Sequence, residues 1–250
     1  MLRGFAFTLA LCLPLSATMP ALADPQPTRA ELEAIILETI LENPEVLEQA
    51  FARLQEKRQE EADEARLASI DQYREQLVAS PTDAVIGNPD GDVTLVEFFD
   101  YNCGFCARAL DDLYVLLEED KDLRVVLKEF PVLGQNSMEA AAVSIGVANN
   151  HPEAYEEFHR RLLSYEGPAN GNSALALAAE MGLDGDALAA GMRSDRVREV
   201  VESGYELAQA LGLSGTPSYV IGDSVEFGAV GVDALRAAIN QARCGEDACE

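Results

Sequence analysis

Val93 to Phe99 is an apolar run of strand length, and it leads almost at once into Cys103-Gly104-Phe105-Cys106 and a helical pattern that continues to about Glu119. Few arrangements satisfy this order. A strand delivers two cysteines to the first turn of a helix, where two intervening residues keep both sulfurs close. At that position unpaired backbone N–H groups and the helix dipole favour negative charge, so Cys103 is expected as the more acidic thiol. Cys106, one turn inside, is expected as the shielded resolving thiol. Two other readings of the pair stay open on the residues alone. A zinc half-site needs two further ligands, which Cys244 and Cys249 supply only at loose spacing. An inert disulfide gains little by closing so small a loop.

The rest of the chain reads as an α/β domain. Leu123 to Phe130 has strand character, and helical patterns follow at 138–149, 152–163, 173–181, 186–191 and 195–211. After Gly215-Thr216-Pro217 come two short strands, 218–221 and 224–227, and a last helix, 232–243. Ser80-Pro81 and Gly87-Asn88-Pro89-Asp90-Gly91 are turn signals at the entry to this domain. His151 and His159 are expected at a surface or helix boundary, not as ligands. No metal site and no cofactor are expected, since two His and no Trp leave little material for either.

Ahead of this domain lies a segment of different character. From Thr28 to about Leu77 there is no glycine, and Leu32, Ile35, Ile36, Ile40, Val46, Leu47, Phe51 and Leu54 recur at helical spacing. Thr28 with Glu31 predicts a capping box, Asn43-Pro44 predicts a break, and 55–77 predicts a separate, more polar helix. The apolar stripe has two outlets: packing on its own catalytic domain, or meeting copies of itself.

Arg3, the uncharged run Phe5 to Leu13 and Ala21-Leu22-Ala23 predict a signal peptide (1–23) cut after Ala23, hence export to the periplasm. The expected organisation is then a helical segment 24–79, a catalytic domain 80–243 with a helical insertion at about 137–211, and a tail 244–250. Cys244 and Cys249 are expected to close a structural disulfide in that tail, with an auxiliary shuttle pair as the alternative. With 18 basic residues against 44 acidic, the formal charge of −26 excludes a nucleic-acid partner.

The segment Val96-Glu97-Phe98-Phe99-Asp100-Tyr101-Asn102-Cys103-Gly104-Phe105-Cys106, with Gly215-Thr216-Pro217 downstream, resembles the DsbA-like branch of the thioredoxin superfamily. The likeness runs from about Val85 to Arg243. It implies a thioredoxin fold with an inserted helical domain, preceded here by an α-helical extension. It also implies a cis Thr216–Pro217 bond facing the cysteines and Glu97 as the family's buried acid with Lys128 placed to pair with it; Glu97 either relays protons to and from Cys106 or forms a partly buried ion pair with Lys128. Leu41-Glu42-Asn43-Pro44-Glu45-Val46-Leu47 resembles the ScsC (suppressor of copper sensitivity C) type, which implies a homo-oligomer, such as a trimer, acting as disulfide isomerase or reductase. Cysteine-bearing exported proteins as substrates and a membrane partner that recycles the pair follow from the same resemblance. Gly104-Phe105 departs from the Pro-His of DsbA itself, which implies a less oxidising pair. A DsbA-type oxidase is the alternative, and a non-catalytic chaperone or copper-sequestering module is a reading of another class.

Overall fold

The computed structural model describes residues 26–245, so the expected signal peptide and Cys249 lie outside the described residues. The chain divides into two units between Glu56 and Lys57.

In the first unit, α1 (Arg29–Glu42) begins where Thr28 and Glu31 cap one another. The Thr28 hydroxyl accepts from the Glu31 N–H at 3.3 Å, and the Glu31 carboxylate accepts from the Thr28 N–H at 2.8 Å. No residue of α1 is buried; Ile35, Ile36, Leu37 and Leu41 are all exposed. Asn43 ends α1, and α2 (Glu45–Val78) starts directly after Pro44. The break expected near Gln55 is absent: α2 is one helix of 34 residues. Its polar stretch contains no Gly or Pro, and nothing in it ends a helix.

The second unit holds β1 (Ala84–Gly87), β2 (Val93–Phe99), α3 (Gly104–Glu119), β3 (Leu123–Glu129), α4 (Gln135–Asn150), α5 (Pro152–Leu163), α6 (Gly171–Glu180), α7 (Gly185–Gly191), α8 (Asp195–Ala210), β4 (Ser218–Ile221), β5 (Ser224–Phe227) and α9 (Val232–Cys244). The sheet order is β1-β3-β2-β4-β5, with β2 and β3 parallel and the remaining pairs antiparallel. The strand β1 is an addition to the sequence reading. It is four residues long between two turn signals, and only Ile86 is buried, so it carries no legible alternation.

Alternation along the central strands divides the interior in two. Leu95 and Phe99 of β2 and Val125 and Leu127 of β3 join a core with Leu110, Leu113 and Leu116 of α3 and Leu235 and Ile239 of α9. Val96, Phe98 and Val126 face the other way, against Leu207 and Ala208 of α8 and Ile70 and Leu77 of α2. The C-terminal part of α2 is thus a piece of the catalytic domain's core. Behind the sheet, α8 comes so close that a Cβ on Gly204 would stand 2.3 Å from the Glu129 carbonyl oxygen.

The same alternation corrects the expected Glu97–Lys128 pair. In register, Glu97 lies opposite Leu127 and Lys128 opposite Phe98. One residue of offset sends the two side chains to opposite faces of the sheet. Lys128 is buried against Asp83 and donates to the Gln76 carbonyl at 2.6 Å. A buried pair left with one partner loses far more than the pair contributes. Lys128→Ala is therefore expected to cost about 3–5 kcal/mol in urea unfolding, while the titration of Cys103 stays unchanged.

Candidate active site

Cys103 is the N-cap residue of α3, with φ −82° and ψ 108°. Its sulfur accepts a hydrogen bond from the Cys106 N–H at 3.3 Å, one of the donors a helix start leaves unpaired. The loop before β4 supplies the opposite wall. The Thr216–Pro217 peptide is cis, as expected, and the Thr216 carbonyl lies 3.2 Å from the Cys103 sulfur, where it accepts from the thiol. Cys103 is 6% exposed and Cys106 is 0% exposed, and both are free thiols.

This geometry sets the two acidities apart. Hydrogen bonding from the Cys106 side chain is the main influence that lowers the Cys103 thiol, to about 5, with help from the Thr216 side chain and backbone N–H groups and against the cost of burial. The same bond, seen from Cys106, holds that thiol protonated, and burial and the nearby Glu97 push it further up. One sulfur is thus a nucleophile at neutral pH and the other a reserve. Glu97 is 3% exposed, and burial pushes its carboxyl up to about 8.

Gly104 and Phe105 project outward. Nothing stands within 4 Å of a Cβ placed on Gly104, and Phe105 is exposed with the Arg108 guanidinium 4.3 Å from its ring centroid. The dipeptide therefore shapes the rim of the site and leaves its floor untouched.

Sequence reading missed the residues that anchor this turn. The Asp100 carboxylate accepts from the Asn102 N–H at 2.7 Å and the Leu133 N–H at 2.9 Å. The Asn102 amide donates to the Ser137 hydroxyl at 3.0 Å and the Ala169 carbonyl at 2.8 Å, and its oxygen accepts from the Ala169 N–H at 2.9 Å. These bonds fasten the residue before Cys103 to two places in the helical insertion. Their only sequence signal is a pair of polar residues inside an apolar run.

His159 is a second correction. It is buried, 3.0 Å from the Tyr101 hydroxyl through Nδ1, and burial lowers it to about 3, which keeps it neutral. Its ring packs edge-on to Phe99 and stacks on Tyr155, so α5 turns a face inward that its polarity conceals. His151 caps the α4–α5 junction, as expected. Cys244 is disulfide-bonded; the expected pairing with Cys249 falls outside the described residues.

The separated acidities are open to direct measurement. Thiolate absorbance in the reduced protein should rise with a midpoint near 5, and brief alkylation at neutral pH should label Cys103 and spare Cys106. Glu129, buried and raised to about 8 chiefly by burial, titrates from an ordinary 4.5 in the unfolded chain. Its contribution to stability is complete below that ordinary value and is lost as pH rises through 8. Unfolding of Glu129→Gln by denaturant should accordingly show a flatter loss of stability from acid to mildly alkaline pH than the parent protein.

Comparison with known proteins fits this site. Residues 94–240 match the model of the DSBA-like thioredoxin domain, and residues 29–61 match that of the copper resistance protein ScsC N-terminal domain. A thioredoxin-like oxidoreductase from Silicibacter pomeroyi is 39% identical with a TM-score of 0.65, covering 68% of this chain and 97% of that one. A linker-deletion variant of ScsC from Proteus mirabilis is 25% identical with a TM-score of 0.67, covering 88% and 98%. BcfH from Salmonella enterica Typhimurium is 25% identical with a TM-score of 0.72, covering 86% and 95%. Among curated proteins, Na(+)/H(+) antiporter NhaA 1 of Salinispora arenicola is 26% identical over 163 residues, and the chain spans only 25% of its length. The match over 94–240 takes in β2, both cysteines and the Thr216–Pro217 loop: the chain belongs to the DsbA-like thioredoxin family, with an N-terminal segment of the ScsC type.

Proposed function

We propose that this chain is a periplasmic thiol–disulfide oxidoreductase that acts on the cysteines of exported proteins, chiefly as an isomerase or reductase. The observation that carries the reading is the Cys103 sulfur, hydrogen-bonded at the start of α3 beneath the Thr216 carbonyl with Cys106 shielded behind it. The Cys103 thiolate attacks a substrate disulfide, forms a mixed disulfide and releases one substrate thiolate. In reduction, Cys106 gives up its proton, attacks the Cys103 sulfur and releases the second substrate thiolate. Two electrons pass to the substrate, and Cys103–Cys106 becomes the disulfide. In isomerisation a second substrate thiolate attacks the mixed disulfide instead, and Cys103 returns unchanged. A membrane redox partner would return the pair to its reduced form after reduction.

The direction rests on two features. Gly104-Phe105 places no imidazole between the cysteines, so the thiolate lacks the extra stabilisation of a Pro-His pair. The exposed apolar residues of α1 and the start of α2, among them Ile36, Leu41 and Phe51, suit an interface between copies of the chain, and a trimer would set several cysteine pairs on one substrate. The acidic Cys103 thiol also supports the alternative of a DsbA-type oxidase, since a stabilised thiolate favours the reduced form and makes the disulfide oxidising.

The full chain carrying Ile36→Asp and Phe51→Asp should fall to the mass of one chain in light scattering. Its yield of native protein from a scrambled substrate should drop at least about tenfold, while reduction of a small disulfide persists. An unchanged mass, or scrambled-substrate activity retained by the monomer, would end the oligomeric isomerase reading. Cys103→Ser should abolish every thiol-exchange activity.

A further inference from the structure

With Lys128 on the far face of the sheet, Glu97 needs another partner, and β4 supplies it. In the antiparallel pairing of β2 with β4, Tyr219 lies directly opposite Glu97. Side chains opposite one another on neighbouring strands share a face, so Tyr219 joins Glu97 on the side of the sheet where Cys103 and Cys106 lie. Tyr219 is 1% exposed, and its side chain favours the ionised form of the Glu97 carboxyl, as a donated hydrogen bond would. It also stands two residues beyond Pro217, so the strand that positions the cis-proline loop positions this hydroxyl as well.

We propose that Tyr219 is the positioning residue for Glu97: its buried hydroxyl donates to the carboxyl, holds it beside Cys106 and stabilises its ionised form on the face that Lys128 does not reach. This rests on the reading of the chain as a thiol–disulfide oxidoreductase and names the group that makes Glu97 usable as its proton acceptor.

The surroundings of Glu97 leave this task to Tyr219. Opposite it on β3 is Leu127, which is apolar. The titratable groups electrostatically linked to Glu97 are Cys103 at the start of α3, Cys106 and Tyr114 of α3, and Tyr155 of α5; Asp112 of α3 acts on Tyr219. All are acids; of them the Cys103 thiolate carries the charge that opposes ionisation of Glu97, while Cys106, Tyr114 and Tyr155 are held in their neutral forms. The packed residues of α9, Leu235 and Ile239, carry no charge. The Tyr219 hydroxyl works against burial and against the Cys103 thiolate, both of which favour the protonated carboxyl.

The protein's own chemistry then sets the timing. When Cys103 becomes the sulfur of a mixed disulfide, its negative charge is gone, and one of the influences holding Glu97 protonated disappears. Glu97 ionises more readily at the moment when Cys106 must lose its proton. The proton moves from the Cys106 sulfur to the Glu97 carboxylate, and the Cys106 thiolate attacks Cys103.

The test reads Glu97 itself in the reduced full-length protein. The carboxyl carbon of Glu97, assigned by comparison with Glu97→Gln, is titrated by carbon-13 NMR in parent protein and in Tyr219→Phe. The parent midpoint should lie near 8 and move to higher pH in Tyr219→Phe, and the pH profile of mixed-disulfide resolution should move with it. An unmoved midpoint in folded Tyr219→Phe overturns the proposal. In case that variant does not fold, the unmutated protein carries an equivalent test. The Glu97 carboxyl carbon should show a deuterium isotope shift between H2O and D2O from the donated O–H at a pH above its midpoint; no shift overturns the assignment. Failure of the oxidoreductase reading shows separately, as absent thiol exchange beside a normal Glu97 titration.

Discussion

The hydrogen bonds that converge on the Cys103 sulfur depend on three parts of the chain that are distant in sequence. The helix start of α3 donates, the carbonyl before Pro217 closes over the sulfur from the other side, and Asp100 and Asn102 hold the turn between β2 and α3. Each of these positions depends on a strand in the middle of the sheet. The parallel pair β2–β3 directs the chain from Phe99 toward the cysteines, and β4, antiparallel beside β2, carries the proline loop to the same end. The helical insertion is tied in through Asn102, which spends both ends of its amide on Ser137 and Ala169. Burial by itself works against the thiolate, so the acidity of Cys103 depends on hydrogen bonding from the Cys106 side chain and from the backbone N–H groups of the helix start.

Sheet geometry also assigns the charged residues inside the domain. Glu97 and Lys128 are both buried and occupy adjacent strands, yet the pleat separates them. Lys128 closes the α2 side with Asp83 and the Gln76 carbonyl, which fastens the end of α2 to the catalytic domain. Glu97 is left on the sulfur side with Tyr219. The division gives the two faces separate duties: one holds a buried ion pair that ties the end of α2 to the sheet, and the other holds a carboxyl whose protonation follows the charge on Cys103.

The N-terminal segment has two characters within one helix. The end of α2 places Ile70 and Leu77 in the domain core, while the apolar residues of α1 and the beginning of α2 stand in solvent. The apolar stripe from Leu32 to Leu54 stays largely exposed, and the core residues of α2 lie beyond it, at Ile70 and Leu77.

By itself the sequence determined the elements and the reactive pair. Strand length, helical spacing, the Thr28–Glu31 cap and the CxxC at a helix start are local patterns, and local patterns survive without knowledge of the rest of the fold. The family likeness of the cysteine segment and Thr216-Pro217 extended that reading to the fold class and the cis bond. The tertiary structure decided which side chains meet. Lys128 pairs with Asp83, Tyr219 takes its place beside Glu97, His159 lies buried against Tyr101, and β1 joins the sheet on the strength of one buried residue. Each depends on register, or on which face an element turns inward. One residue of slip reverses every face of a strand, and no local pattern records the partner that fixes it.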